Sequence, residues 1–309
     1  MPYSIVLKIF PKSQFNLREA TGARLQGMFL ELMRQVDPEL ATELHDRPDL
    51  DEPTALRHYA VSPLFIDKGV ERARNRTGSN HKVLTSGGTL YWLHLAALDD
   101  RVYPALLSYL LGLSGVKKEG ESPFPVLIID KTQFQIVEVL ASGFSRHPWA
   151  GYSEVEDLII RASVDERVIT FEFKSPTVFE RLDRQIPLPE PRLVWKSLAD
   201  RWNDAFGATY PISPEFVDAV ENHLVVVCYH IHTQPFRQDS EITLTGFVGQ
   251  VTFRIIGPVS PEFIKITNLL ADFALFSGIG KKTTRGMGMA RRISDGESSK
   301  ILERSGRIL

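Results

Sequence analysis

The order in which hydrophobic periods succeed one another restricts the fold most. Residues 3–10 alternate in the two-residue period of a strand. Leu17 to Val36 then sets Leu25, Phe29, Leu32, Met33 and Val36 near one helical face. Pro38 breaks this pattern, and Glu39 to His45 reads as a short helical turn. RHYAVSPLFI is extended, a glycine turn and a strand follow in HKVLTSGGTLYWLHLAAL, Asp100 to Leu111 suits a second helix, and Phe124 to Leu140 supplies further strands. Strand–helix–strand, taken twice, is the ferredoxin-like arrangement. The second half repeats the theme less cleanly. Leu158 to Ser175 is strand-rich, Leu193 to Phe206 and Pro214 to Glu221 are helical, and His223 to His232 and Glu241 to Ile256 are strands; the helix Pro261 to Phe276 and the strand Met289 to Ile293 follow. The expectation is an α+β chain of two tandem ferredoxin-like (RRM-like) domains, 1–140 and 141–294, with a polar tail at 295–309.

A length of 309 residues with 43% hydrophobic content supports two cores, and no apolar run reaches membrane-spanning length. No secretory signal pattern precedes the first strand, so a cytoplasmic location is expected. Cys228, the one cysteine, lies in the apolar run LVVVCY and reads as a buried small hydrophobe; it excludes an intrachain disulfide and a cysteine zinc cluster. A net charge of −2 argues against a generic nucleic-acid coat. The charges are nonetheless polarised. Arg72, Arg74 and Arg76 form one basic group and Lys281 to Arg292 another, while acids gather at Asp37 to Glu52 and Glu154 to Asp157.

The second basic group lies in SGIGKKTTRGMGMARR, where Gly278, Gly280, Gly286 and Gly288 flank Lys281, Lys282, Thr283, Thr284 and Arg285. Exposed backbone N–H groups and adjacent cations suit a phosphate-bearing ligand. It is not a nucleotide P-loop: Lys282 stands where Ser or Thr is required, and LLADFALFSG before it reads as a helix end rather than a strand. Cations here and at Arg291 and Arg292 can hold a nucleic-acid backbone without reading a base.

Several segments together resemble the CRISPR repeat-processing endoribonucleases of the repeat-associated RNA-binding superfamily. They are LTGFVGQVTFRIIGP followed by LLADFALFSGIGKKTTRGMGMAR, with MFLELMRQVDPELATELHD, VSPLF, FEFKSPTVF and PLPEPRLVWKSLADRWN in the same order; the resemblance spans residues 5–292. It implies two tandem ferredoxin-like domains and cleavage of a repeat–spacer transcript within each repeat, with no metal or other cofactor. The ribose 2′-hydroxyl would attack the adjacent phosphate, leaving a 2′,3′-cyclic phosphate or a 3′-phosphate, and a 5′-hydroxyl.

Such chemistry needs a group to take a proton, one to return it and a cation to meet phosphate charge; histidine and arginine suit these tasks. The resemblance points to His45 as the leading catalytic histidine. Arg57 and His58 stand where the family frequently carries lysine–proline–phenylalanine, and either could assist. A first-helix tyrosine used by some relatives is missing between Leu17 and Val36. His81 and Lys82, after the basic loop RARNRTGSN, suit phosphate contact or a plain surface connection. Arg146, with His147 and Trp149, suits an RNA grip or a domain junction. His94 reads as structural, and His223, His230 and His232 form no convincing metal triad. Asp37, Glu39, Glu43 and Asp46 read as a solvated acidic face.

The expected partner is CRISPR repeat RNA, with an effector complex and a second copy of the chain as further candidates and no membrane. The competing reading is a noncatalytic RNA-binding subunit of an effector. A general ferredoxin-like RNA scaffold fits least, because no aromatic RNP pattern is present.

Overall fold

The computed structural model describes residues 1–45, 57–67, 89–110, 126–145, 147–294 and Glu297. Thirteen strands are described: β1 (Tyr3–Pro11), β2 (Tyr59–Val61), β3 (Phe65–Ile66), β4 (Tyr91–Ala97), β5 (Val126–Ile129), β6 (Thr132–Leu140), β7 (Gly151–Tyr152), β8 (Val168–Thr177), β9 (Phe179–Arg181), β10 (Arg184–Ile186), β11 (Leu224–Arg237), β12 (Thr243–Ile255) and β13 (Ala290–Ile293). Seven α-helices accompany them: α1 (Gly22–Arg34), α2 (Pro38–His45), α3 (Val102–Leu110), α4 (Val155–Arg161), α5 (Pro191–Phe206), α6 (Pro214–His223) and α7 (Pro261–Ser277).

The architecture is α+β. One antiparallel sheet runs β2-β4-β1-β6-β5, with β3 also on β4 and β7 also on β1; a second runs β11-β12-β8-β13. β1 is central in the first sheet, pairing Tyr3–Ile9 with Ala97–Tyr91. Apolar residues on its inner face (Ile5, Leu7 and Ile9 are at most 1% exposed) pack on Leu25, Phe29 and Met33 of α1. In the second sheet Phe171, Phe173 and Phe253 meet Trp195 and Trp202 of α5, both fully buried. Each indole N–H finds a carbonyl, at Thr267 and Tyr210, so the large rings are buried without an orphaned donor. Helix ends are fixed locally. Ser260 Oγ accepts from the Phe263 N–H at the start of α7, and Asp37 Oδ1 accepts from the Leu40 N–H at 2.9 Å to cap α2; such caps contribute about 1 kcal/mol each.

The two sheets meet through Val6, Trp92, Trp149, Ala150 and Met289. His94 lies beside this seam, 4% exposed, with Nε2 2.7 Å from Ser4 Oγ; that hydroxyl donates to the Trp149 carbonyl. Burial, with a contribution from His147, pulls the His94 pKa down to about 3. Of the junction residues, Trp149 is 2% exposed and lies under the Arg291 guanidinium, so it is part of the seam.

Two expectations need correction. Leu158 begins no strand: α4 covers Val155–Arg161, turning Val155 and Leu158 inward three residues apart and leaving Ile160 exposed. The run LII reads as strand only because its solvent-facing isoleucine is apolar. Cys228 is exposed rather than buried. β11 is an edge strand, and a bulge between Val226 and Cys228 breaks the alternation that would have turned the thiol inward.

Candidate nucleic-acid interface

The glycine loop leaves α7 at Gly278 and returns as β13. All four of its glycines have positive φ, from 67° to 85°. At Gly288 a Cβ would strike the Ile279 carbonyl, and at Gly280 it would lie 2.6 Å from the Val178 carbonyl. These residues are glycine because the backbone crosses itself closely. Several of the loop's N–H groups are occupied inside the protein: Gly280 donates to Ser197 Oγ, Lys281 to Val178, Gly286 to Val61, Gly288 to Pro176 and Ile279 to Gly288. These bonds lock the turn at its base.

Lys281 and Lys282 are exposed, Thr284 and Arg285 half-buried, and Thr283 buried at 4%. Lys281 pairs with Glu180. Partial burial, together with Arg285, Lys281 and Arg57, pushes the Lys282 pKa down against the opposing pull of Glu180. Arg57 therefore shares one electrostatic neighbourhood with the loop cations, although more than 220 residues separate them in sequence. Arg291 is different: it is 8% exposed and bonded to Glu172, with Glu297 close by. Arg292 pairs with Asp272 and Glu166.

Next to Arg57, His58 reaches across to the second half of the chain. Its Nε2 lies 2.8 Å from Asp204 Oδ2 on α5; a carboxylate only accepts, so Nε2 carries the proton. The same helix anchors the loop. Arg201 Nη2 donates to the Gly280 carbonyl at 2.7 Å, and Ser197 receives the Gly280 N–H. Ser197, Arg201 and Asp204 follow i, i+4, i+7 spacing and share one helix face. Complete burial pulls the Arg201 pKa down to about 10, with Asp200 and Asp204 opposing.

His45 ends α2 with its side chain exposed, beside an open groove lined by Leu30, Arg34, Ala41 and Thr42. The route from there to His58 runs through ion pairs. Arg101 bonds Glu43 of α2 at 2.6 Å and Asp99 at 2.8 Å, and Asp99 feels His58. Burial raises the Asp99 pKa, but the Arg101 bonds outweigh it and hold the carboxyl below its usual range. Glu43 is thus part of this link, and Asp37 is a helix cap. Arg72, Arg74, Arg76, His81, Lys82, Arg146 and Asp46 lie outside the described residues. Among the described residues no three His, Cys, Asp or Glu side chains converge as a metal-holding group, and no helix is long and apolar enough to cross a membrane.

Comparison with known proteins places this arrangement. Residues 1–159 match the CRISPR Cas6 N-terminal domain, and residues 171–290 match the CRISPR-associated endoribonuclease Cas6 family. The chain belongs to the Cas6 family. Among curated Cas6 proteins it is 23% identical to one from Streptococcus thermophilus over 211 residues, covering 67% of this chain and 76% of that one. It is 29% identical to one from Mycobacterium tuberculosis over 133 residues, 43% of this chain and 41% of that one. A solved Cas6 product complex superposes with a TM-score of 0.73 at 27% identity, covering 95% of this chain and 100% of that one. A Thermus thermophilus Cas6 gives 0.65 at 26% identity, with 95% and 98% covered.

Sequence reasoning did not single out Gln26, Tyr59, Ser197, Arg201 or Asp204. Ser197 and Arg201 stand in PLPEPRLVWKSLADRWN and Asp204 directly follows it, where their i, i+4, i+7 spacing marks one polar face of a helix. Gln26 was legible as a polar residue among the apolar positions of the first helix.

Proposed function

We propose that this Cas6 cleaves CRISPR precursor transcripts within their repeats, independently of metal, by attack of the ribose 2′-hydroxyl on the adjacent phosphate. The O2′–P bond forms as the P–O5′ bond breaks, giving a 2′,3′-cyclic phosphate, or a 3′-phosphate on ring opening, and a 5′-hydroxyl. The observation that carries this reading is the gathering of Arg57 with Lys282 and Arg285 of the second half, next to His58, which bonds Asp204 of α5. Cations there can neutralise phosphate, and the Asp204-oriented imidazole of His58 can move a proton. His45 is the second proton-transfer group, one histidine taking the 2′-hydroxyl proton and the other protonating the leaving oxygen. Lys281, Lys282, Thr284 and Arg285 hold the RNA backbone.

The finer architecture belongs to the same proposal. In the second sheet the order β11-β12-β8-β13, with α5 after β8 and α7 after β12, supports a ferredoxin-like unit. In the first, β2-β4-β1-β6 has the same form with β5 added at the edge. Domains 1–140 and 141–294 follow from that reading.

The deciding experiment incubates repeat RNA with the protein in EDTA, comparing wild type with His45→Ala and analysing the ends. Cleavage by wild type to a cyclic phosphate, lost in the variant, is expected. Intact RNA bound equally by both proteins would overturn the enzyme reading in favour of a noncatalytic binding subunit.

A further inference from the structure

Gln26 is 5% exposed on α1, among Leu25, Met28 and Phe29. A buried amide in such a setting costs free energy unless both ends are paired. Here both are. Oε1 accepts from Arg285 Nε at 2.7 Å; Nε2 donates to the Tyr59 hydroxyl at 3.0 Å and faces Thr284 Oγ1 at 3.4 Å. Arg285 Nε can only donate, which fixes the orientation of the amide. Tyr59, 1% exposed and stacked on Phe29 at 4.5 Å, also lies within the electrostatic reach of Arg57. One neutral side chain thus binds Arg285 directly and Tyr59 beside Arg57, although the two arginines come from opposite halves of the sequence.

Gln26 contrasts with the partners of the neighbouring arginines. Arg291 and Arg292 are held by the carboxylates of Glu172 and Asp272, which cancel their charge. Arg285 is held by an amide, which supplies the geometry of a hydrogen bond and no counter-charge. Asp239 lies within its electrostatic reach, but that carboxylate accepts the N–H groups of Glu241 and Ile242. Gly22 brings α1 close enough for this contact: a Cβ there would lie 2.5 Å from the Arg285 carbonyl.

We propose that Gln26 is a positioning residue for RNA, a neutral buried tether that fixes Arg285 beside Arg57 and leaves both charges available to one stretch of phosphate backbone. This rests on the RNA-binding reading of the glycine loop. Gln26→Glu keeps the shape and adds the missing counter-charge; Gln26→Leu keeps the volume and removes the tether. The measurements are thermal stability, the dependence of Kd on salt for RNA spanning one repeat of the host's CRISPR array, and the single-turnover rate at saturating RNA. Gln26→Glu should melt at or above the wild-type temperature, because it pairs with Arg285. Its Kd should nonetheless rise about tenfold, with the slope of log Kd against log salt reduced by about 1 and the saturating rate kept within about threefold. Gln26→Leu should weaken binding less and keep the wild-type slope. A folded Gln26→Glu with wild-type Kd and slope would overturn the proposal. So would parallel losses of stability and affinity in both variants, which would mark Gln26 as a packing residue. Wild-type protein that fails to bind the repeat would overturn the reading of the loop itself, and this proposal with it.

Discussion

The glycine loop and the corner around His45 face the same proposed task with opposite constructions. The loop is buried except at its tip, the N–H groups at its base are bonded inside the protein, and its glycines occupy conformations and clearances closed to other residues. His45 sits on the exposed last turn of an eight-residue helix, held by the Asp37 cap and by the Glu43–Arg101 pair. Anchoring charge is thus placed on backbone that cannot yield, and the candidate proton-transfer group on an exposed side chain at a helix end. Substitutions of the loop glycines should act through folding, and substitutions at the corner through chemistry.

The strongest test of that contrast is Gly288→Val, which forces a branched side chain into the Ile279 carbonyl at a φ of 72°. A loss of roughly 4–5 kcal/mol in chemical denaturation is expected; a variant melting within about 2 °C of wild type would break the comparison at the loop. His45→Ala should lower the single-turnover cleavage rate about a hundredfold or more, roughly 3 kcal/mol of barrier, with unchanged melting temperature and RNA affinity. A matching fall in stability would remove the corner's distinction.

The seam between the sheets gives a third, pH-dependent handle. His94 has a folded pKa of about 3 against an ordinary value of 6.5, so the unfolded chain binds the extra proton. Its contribution is complete above about 6.5 and is lost as pH falls toward 3, with about 2 kcal/mol lost between pH 7 and pH 5. Denaturation curves of wild type and His94→Gln should converge in slope with pH if another group is responsible. The smallest effect is expected for Lys282→Ala: a few-fold weaker RNA binding, about 1 kcal/mol, and a salt slope reduced by about 1. An unchanged slope would mean that the loop tip does not meet phosphate.

Much of the fold was legible because strand and helix periods are long and clean, as in Tyr3–Pro11, Gly22–Arg34 and Pro261–Ser277. Misreadings fell where one residue breaks the period: the solvent-facing Ile160 on α4 and the bulge before Cys228. The candidate site was less legible. Counting basic residues put Arg285 and Arg291 in one class, because sequence shows charge but not counter-charge. Glu172 lies over a hundred positions from Arg291, and Gln26 further still from Arg285. The locking of the loop's N–H groups was equally hidden, since Val61, Pro176, Val178 and Ser197 come from remote segments.

Helix α5 holds the Gly280 turn through Ser197 and Arg201 and holds His58 through Asp204. From Ser197 to Asp204 the helix advances about 10 Å at 1.5 Å per residue. That interval is set by helical rise and by the burial of Trp195 and Trp202, and the surface chain has no part in it. The helix works as a fixed ruler, so any displacement of α5 carries the loop anchor at Ser197 and Arg201 and the His58 anchor at Asp204 together and leaves their spacing unchanged.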